Sequence, residues 1–494
     1  MTLTVPELPL LTLSDDEKNL LGALQAELST CRYDLQLRDC YYNGDQVIRD
    51  LGISIPPQLK GLHTVIGWPG IGVDALEQRL DIEAWRYADD PEGSQELADL
   101  AEPNELVHES QLAHLDAFVY GRAYAAVGSR EAEAEIGDVA ADTDTPLITV
   151  ESPLDMTLFY DARARRVIAA LRSYKIGDDP AATLYLPDQT IYVVQSSHGW
   201  DVIERDMHGL GVAPVVRISN RQRTADRVGK SEITPAVMSI TDAACRTLLG
   251  MEVAREFYGA PQRYILGASE SAFQDAEGNA KSAWETYIGR VLALERDEDG
   301  NVPQVGTFAA YDPSAYTKIV DLYARIMATQ LGLPPHYLGY TTDNPASADA
   351  IRSTEAQLVK RAERKQTLFS TPWAQVLRLA LLIKTGQIPD RARRIETVWR
   401  NPATPTLAAQ TDAATKLVQT GILPPDSDVT LEMVGLTEAQ RQRVHADRAR
   451  SAARQQLSQL GQQIAGLAVQ GGRQPQEAAV TQEAAGGSAS TSSQ

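Results

Sequence analysis

Residues 227–233 read RVGKSEI. Gly-Lys-Ser is the ending of a loop that cradles phosphates, the lysine reaching the β/γ-phosphates and the hydroxyl a magnesium ion. That chemistry needs a glycine five residues before Gly229, to allow the turn that wraps the phosphates. The chain has Thr224 there, in TADRVGKS. After Ser231 it restarts at Thr234-Pro235 instead of entering a helix directly, so backbone amides are not expected to converge on a phosphate. The expectation is a turn at Gly229 leading into a capped helix. The rival reading is a degenerate nucleotide hydrolase using Lys230.

The other chemistry-bearing residues are dispersed. His108 and His114 stand six apart and cannot face one ligand on a helix. Cys31, Cys40 and Cys245 are too few and too scattered for a zinc site or a disulfide framework, which fits a reducing compartment. No Gly-x-Ser-x-Gly elbow occurs. Asp15, Asp16 and Glu17 sit at a predicted helix start, where acids complement the dipole. Lys360, Arg361, Arg364 and Lys365 form a dense basic patch on a predicted helix. It reads either as a solvated face or as a contact with nucleic acid or an acidic neighbouring subunit. No catalytic constellation, metal site or cofactor is expected.

The elements that would position these residues follow from periodicity. Ser14 with Glu17 reads as a capping box before an apolar face of Leu20, Leu21, Leu24 and Leu28. ELVHESQLAHLDAFVYGRAYAAVG predicts a helix breaking at Gly121 into a strand. From Leu147 to Asn220 the period is two, with Gly, Pro, Asp and Asn between runs, which predicts an antiparallel meander. Two helices then open on the same device. Thr234 caps one that begins at Pro235, and Asp312 caps one that begins at Pro313. In the second, Ile319, Leu322 and Ile326 line one face. Between them QRYIL and RVLALE are strand-like and DEDGN is a turn. A long helix follows, in which Pro372 predicts a kink or a restart, and then further helical stretches. Residues from Gly471 onward are too polar and small-sided to fold.

The chain has 494 residues, 46 Lys and Arg against 66 Asp and Glu, and a formal charge of −20. Such a chain is a poor candidate for gripping nucleic acid, though it could guide DNA without binding it. There is no basic region ahead of an apolar run at the N-terminus, and no apolar run near the ~20 residues that span a bilayer, so neither a secretory signal nor a membrane span is expected.

The stretch APVVRISNRQRTADRVGKSEITPAVMSITDAACRTLLGMEVAREFYGAPQRYILG resembles the core of portal proteins of tailed bacteriophages, siphophage-type, in the branch common in phages of actinobacteria. The likeness extends through YDARARRVIAALRSY, LYLPDQTIYVV and GLPPHYLGYTTDNPASADAIRSTEAQL. It departs in detail, as at Ala162, where the family often has proline. The resemblance implies a multi-domain α+β portal fold, with a wing of α/β character and antiparallel strands, a two-helix stem, a small α/β clip and a helical crown. By it, residues 1–230 are the N-terminal part of the wing, 231–262 and 311–337 the stem helices, and 263–310 the clip. Residues 338–349 become the tunnel loop, 350–400 the long wing helix region, 401–470 the crown and 471–494 a disordered tail.

The function implied is a non-enzymatic homo-oligomeric ring, typically of twelve subunits, at one capsid vertex. It passes double-stranded DNA during packaging and ejection without reading its sequence. It docks the terminase large subunit and then the head–tail adaptor, meets the major capsid and scaffolding proteins, and is assembled in the host cytoplasm without a membrane. Tyr340, Thr341, Thr342, Asp343 and Asn344 would face the DNA channel, and Asp297, Glu298 and Asp299 would lie on the docking clip. An acidic wall suits such a channel, because it repels phosphate and keeps the duplex centred. Another ring or adaptor protein of a virus-like or secretion assembly is the other structural reading, disfavoured by the long helices with an inserted α/β piece, since adaptors are usually much smaller.

Overall fold

The computed structural model describes residues 12–47, 64–89, 95–129, 144–258, 263–267, 302, 304–307, 312–339, 348–403 and 407–471. The chain divides into two compact units, Met1–Thr404 and Pro405–Gln494. The architecture is α+β, with antiparallel sheets.

Five strands of the first unit form a meander in sequence order: β4 (Met156–Asp161), β5 (Arg166–Ile176), β6 (Asp179–Tyr185), β7 (Thr190–Ser196) and β8 (Gly199–Asp206). Helix α1 (Asp15–Asn43) lays Leu21 and Leu24 on its Leu171, Leu184 and Ile191. The capping box forms: the Ser14 amide donates to the Glu17 carboxylate at 2.8 Å and the Glu17 amide to the Ser14 hydroxyl at 3.3 Å. The same carboxylate accepts from Arg205 on β8 at 2.8 Å, which ties the helix start to the sheet and holds the Glu17 pKa down at about 2.

The period-two pattern over 147–220 predicts one meander, and the chain divides it. β3 (Leu147–Glu151) and β9 (Val215–Ser219) instead flank β2 (Arg122–Gly128) in a separate three-stranded sheet. The cause is β2, buried along nearly its whole length, which needs a hydrogen-bonding partner on each edge. Tyr124 and Val215 of this sheet pack with Met156 and Ala170 of the meander.

Helix α2 (Trp68–Glu77) precedes β1 (Ile82–Tyr87), which is followed by α3 (Gln95–Ala101) and α4 (Leu106–Tyr120). As its sequence predicts, α4 ends at a left-handed Gly121 and turns into β2. Helices α5 (Pro235–Tyr258) and α6 (Ser314–Leu331) pack side by side. The short strands β10 (Arg263–Leu266) after α5 and β11 (Gln304–Thr307) before α6 pair antiparallel. RVLALE and DEDGN lie outside the described residues.

Helix α7 (Ala348–Thr385) runs through Pro372 without a restart. Proline removes one helical N–H, but Phe369 and Trp373 on either side are fully buried and hold the helix in register. β12 (Ile395–Trp399) then pairs with β1, a partnership across some three hundred residues with no local sequence signal. The main core joins α2, α4, β2, α5, α6 and α7 through Leu76, Phe118, Ala125, Val237, Met327 and Trp373, among others.

The second unit is helical over its described residues: α8 (Leu407–Gln419), α9 (Asp428–Met433) and α10 (Glu438–Gly471). Arg441 is buried in it beside Asp428 and Glu432. The tail beyond Gly471 lies outside the described residues.

Candidate functional site

The RVGKSEI turn is built at a crossing of backbones. Gly229 has φ +114°, and a Cβ placed on it would stand 2.2 Å from the Gly121 carbonyl oxygen and 2.9 Å from that of Asn220. Gly121 has φ +96°, and a Cβ there would meet the backbone of Lys230 and Ser231 at 3.0 Å. Only glycine suits either place. Hydrogen bonds lock the crossing. The Asn220 amide donates to Gly121 O at 2.9 Å, the Lys230 amide to Asn220 O at 2.8 Å and the Glu232 amide to Phe118 O at 2.9 Å. The buried Ser231 hydroxyl donates to Val119 O at 2.6 Å.

A phosphate loop needs free amides and a free hydroxyl pointing at one spot. Here the amides of Lys230 and Glu232 are spent on protein carbonyls, the Ser231 hydroxyl is committed to the end of α4, and the Lys230 side chain is exposed. The motif is a splice joining the end of α4, the end of β9 and the start of α5.

Thr234 stands just before α5, its carbonyl accepting from Met238 at 3.0 Å and its hydroxyl from Val237 at 3.4 Å, and Pro235 is the first helical residue. In α6 the boundary falls one residue later than the sequence predicts. Pro313 is itself the N-cap, and the helix begins at Ser314. Asp312 still closes the turn, accepting from the Ser314 amide at 2.9 Å. Pro313 has helical φ and ψ, and its carbonyl takes the first helical bonds, from Tyr316 and Thr317.

Glu232 is the electrostatic centre of the joint. It is buried, yet its carboxylate accepts from Lys365 at 2.8 Å, from Arg361 at 2.8 Å and from Arg221 at 3.2 Å. The Asn220 side-chain amide adds a fourth contact at 3.1 Å, while its oxygen accepts from Lys365. Burial works against the charge, but the nearby Lys365, Arg361 and Arg221 outweigh it, and the carboxyl is held below its usual range. Burial lowers the Lys365 pKa, with Glu232 pulling the other way.

The basic patch therefore divides, and a wholly solvated face does not describe it. Arg361 and Lys365, four apart, point inward to Glu232. Lys360 pairs with Glu363 at 2.6 Å, and Arg364 is exposed with no ion-pair partner among the described residues. Lys365 falls on the buried stripe of Leu358, Ala362 and Phe369. A lysine on an apolar stripe was the one sequence signal that could have pointed to a buried acid. Nothing local marks Glu232 itself.

His108 is exposed. His114 is fully buried, stacked on Phe369 with ring centroids 4.8 Å apart, and its Nε2 accepts from the Trp373 indole at 2.9 Å. Burial pushes its pKa down to about 3, so it is a neutral core residue. Among the described residues no cluster of three or more metal-ligating side chains occurs, and no helix is long and apolar enough to cross a membrane. Tyr340, Thr341, Thr342, Asp343 and Asn344, like Asp297, Glu298 and Asp299, lie outside the described residues.

Against known proteins, the family described as "Phage portal protein, SPP1 Gp6-like" matches residues 23–440. The portal protein of Mycobacterium phage D29 is 38% identical over 391 residues, which cover 78% of this chain and 79% of that protein. The portal protein of Mycobacterium phage L5 is 38% identical over 392 residues, with the same coverage. Among solved structures, a chain of "Neck of native GTA particle computed with C12 symmetry" is similar at a TM-score of 0.42 and 14% identity, over 75% of this chain and 91% of that one.

Proposed function

The chain belongs to the SPP1 Gp6-like family of phage portal proteins, and from that premise we propose that it assembles into a ring of twelve copies enclosing a channel for double-stranded DNA at one capsid vertex. The observation that carries the reading is on α6, which is apolar on two opposite sides. Ala324, Met327, Ala328 and Leu331 are buried in the chain's own core. Ile319, Leu322 and Ile326, at steps of three and four on the other side, are 42%, 51% and 39% exposed. A helix that has already buried one apolar face in its own chain and leaves another in water is built to meet a second molecule. In a ring that molecule is the next copy.

The charge of −20 supports a conduit over a DNA-binding protein. Walls of net negative charge repel the duplex and let it slide in either direction, where a tight grip would stall it. The spent amides around Gly229 support a mechanical part for the Gly-Lys-Ser motif, so the work of translocation belongs to a separate terminase motor. Docking of that terminase large subunit and later of the head–tail adaptor is assigned to the segment around 297–299. Lining of the channel is assigned to 340–344. The major capsid and scaffolding proteins are the neighbours at the vertex, and assembly takes place in the host cytoplasm.

Mass photometry with negative-stain imaging of the purified chain tests the reading. The expected result is a particle of twelve-fold monomer mass with an axial hole. A chain that stays monomeric at micromolar concentration, with its α6 stripe in solvent, would overturn it.

A further inference from the structure

The joint around Glu232 opens on a cleft of 790 Å³ whose lining is unusual for so acidic a chain. Arg221, Arg223 and Lys230 come from the segment between β9 and α5, and Arg361, Arg364 and Lys365 come from α7. Among the described residues Glu232 is the single carboxylate on the lining. It is shared by Arg221, Arg361 and Lys365, so one negative charge answers three positive ones. Arg223, Lys230 and Arg364 are exposed, and no ion pair engages them among the described residues. Like charges gathered in a concave, partly desolvated space repel one another and focus a positive potential outward. An anion entering the cleft relieves that repulsion.

The third wall identifies the anion's source. It is the last turn of α6, through Thr329 and Gln330. These two residues stand three and four positions on from Ile326, so the exposed stripe of Ile319, Leu322 and Ile326 runs straight into the mouth of the cleft. An apolar strip beside a charged recess is the layout of an interface core with its polar rim. Whatever covers the strip reaches the cleft. Every copy of the chain carries 66 acidic residues, so a neighbour brings carboxylates in excess.

We infer that the cleft receives a carboxylate-bearing segment of a second copy of this chain. The cationic recess on one copy and an acidic segment on the next form a head-to-tail contact, as a closed ring requires. The inference rests on the ring reading and adds the charge pairing that lets copies of −20 each associate.

Carbodiimide coupling tests it, because the reagent condenses a lysine amine with a touching carboxylate into an amide with loss of water. Full-length chain, half of it ¹⁵N-labelled, is unfolded and reassembled as a mixture, checked for rings by mass photometry, coupled and digested. The expected product is a peptide pair joining Lys230 to an acidic segment, with one partner labelled and the other not. Lys230→Arg removes that product, since a guanidinium does not condense. The triple variant Arg223→Glu, Lys230→Glu, Arg364→Glu raises the concentration for half-assembly by about ten-fold or more, because like charges then face each other. Its monomer melts as the wild type does.

A wild-type chain that never associates overturns the ring reading itself. Rings in which Lys230 couples only within one isotope, or not at all, overturn this inference alone. The same holds if a short DNA duplex shields Lys230 in rings that yield no mixed product, which would give the cleft to phosphate.

Discussion

Gly121 and Gly229 cross so closely that a methyl group on Gly229 would lie 2.2 Å from the Gly121 carbonyl oxygen. The obstacle is backbone, which cannot swing aside as a side chain can. Both glycines also have positive φ, so strain and collision coincide.

Gly229→Ala is therefore expected to destabilise the first unit by about 2 kcal/mol or more, or to prevent folding. Gly22, inside α1 with open space around it, is the control. There alanine should stabilise by about 0.5–1 kcal/mol through helix propensity. Thermal unfolding followed by tryptophan fluorescence distinguishes the two, and equal effects would refute the crossing.

Removing the charge of Glu232 leaves Lys365 buried without its counter-ion. Glu232→Gln should cost about 3–5 kcal/mol, the usual loss when one partner of a buried pair is deleted. Arg221 contacts the same carboxylate, but its side chain is 48% exposed, so Arg221→Ala should cost under about 1 kcal/mol. Urea unfolding of both variants provides the comparison.

His114 predicts a pH dependence. Its folded pKa is about 3 against an ordinary 6.5, so the unfolded chain binds a proton between those values that the native core refuses. Stability thus falls as pH drops below about 6.5, by up to about 1.4 kcal/mol per unit from this group, until about pH 3. In His114→Gln stability at pH 7 is lower through lost packing, but the slope between pH 6 and pH 4 should be shallower. An unchanged slope would assign the acid sensitivity elsewhere.

On α6, Leu322→Asp with Ile326→Asp places two charges on the exposed stripe and none in the core. The monomer should keep its melting temperature to within a few degrees while ring formation is lost. Mass photometry and circular dichroism read the two outcomes separately. A ring of normal stability would mean that copies meet through another surface.

Much of the local structure was legible in the chain. Ser14 with Glu17, the break at Gly121, and the starts near Pro235 and Pro313 depend on side chains a few residues apart, so spacing reveals them. The stripe of Ile319, Leu322 and Ile326 was legible too, but which of the helix's two apolar sides would turn inward was not. The inward half of the basic patch was not legible for a related reason. Arg361 and Lys365 look like surface charges until Glu232, some 130 positions earlier, is brought against them.

Hydrogen-bonding and helical periods are short-range, and they set where this chain turns, coils and extends, as well as the excess of acid it carries. That β9 returns to β2, that β12 returns to β1, and that a Gly-Lys-Ser turn closes on Gly121 instead of on a phosphate depended on contacts between residues about ninety or more positions apart. Those contacts form only when buried polar groups and apolar surfaces must all find partners at once, a condition on the whole folded chain that no short window contains.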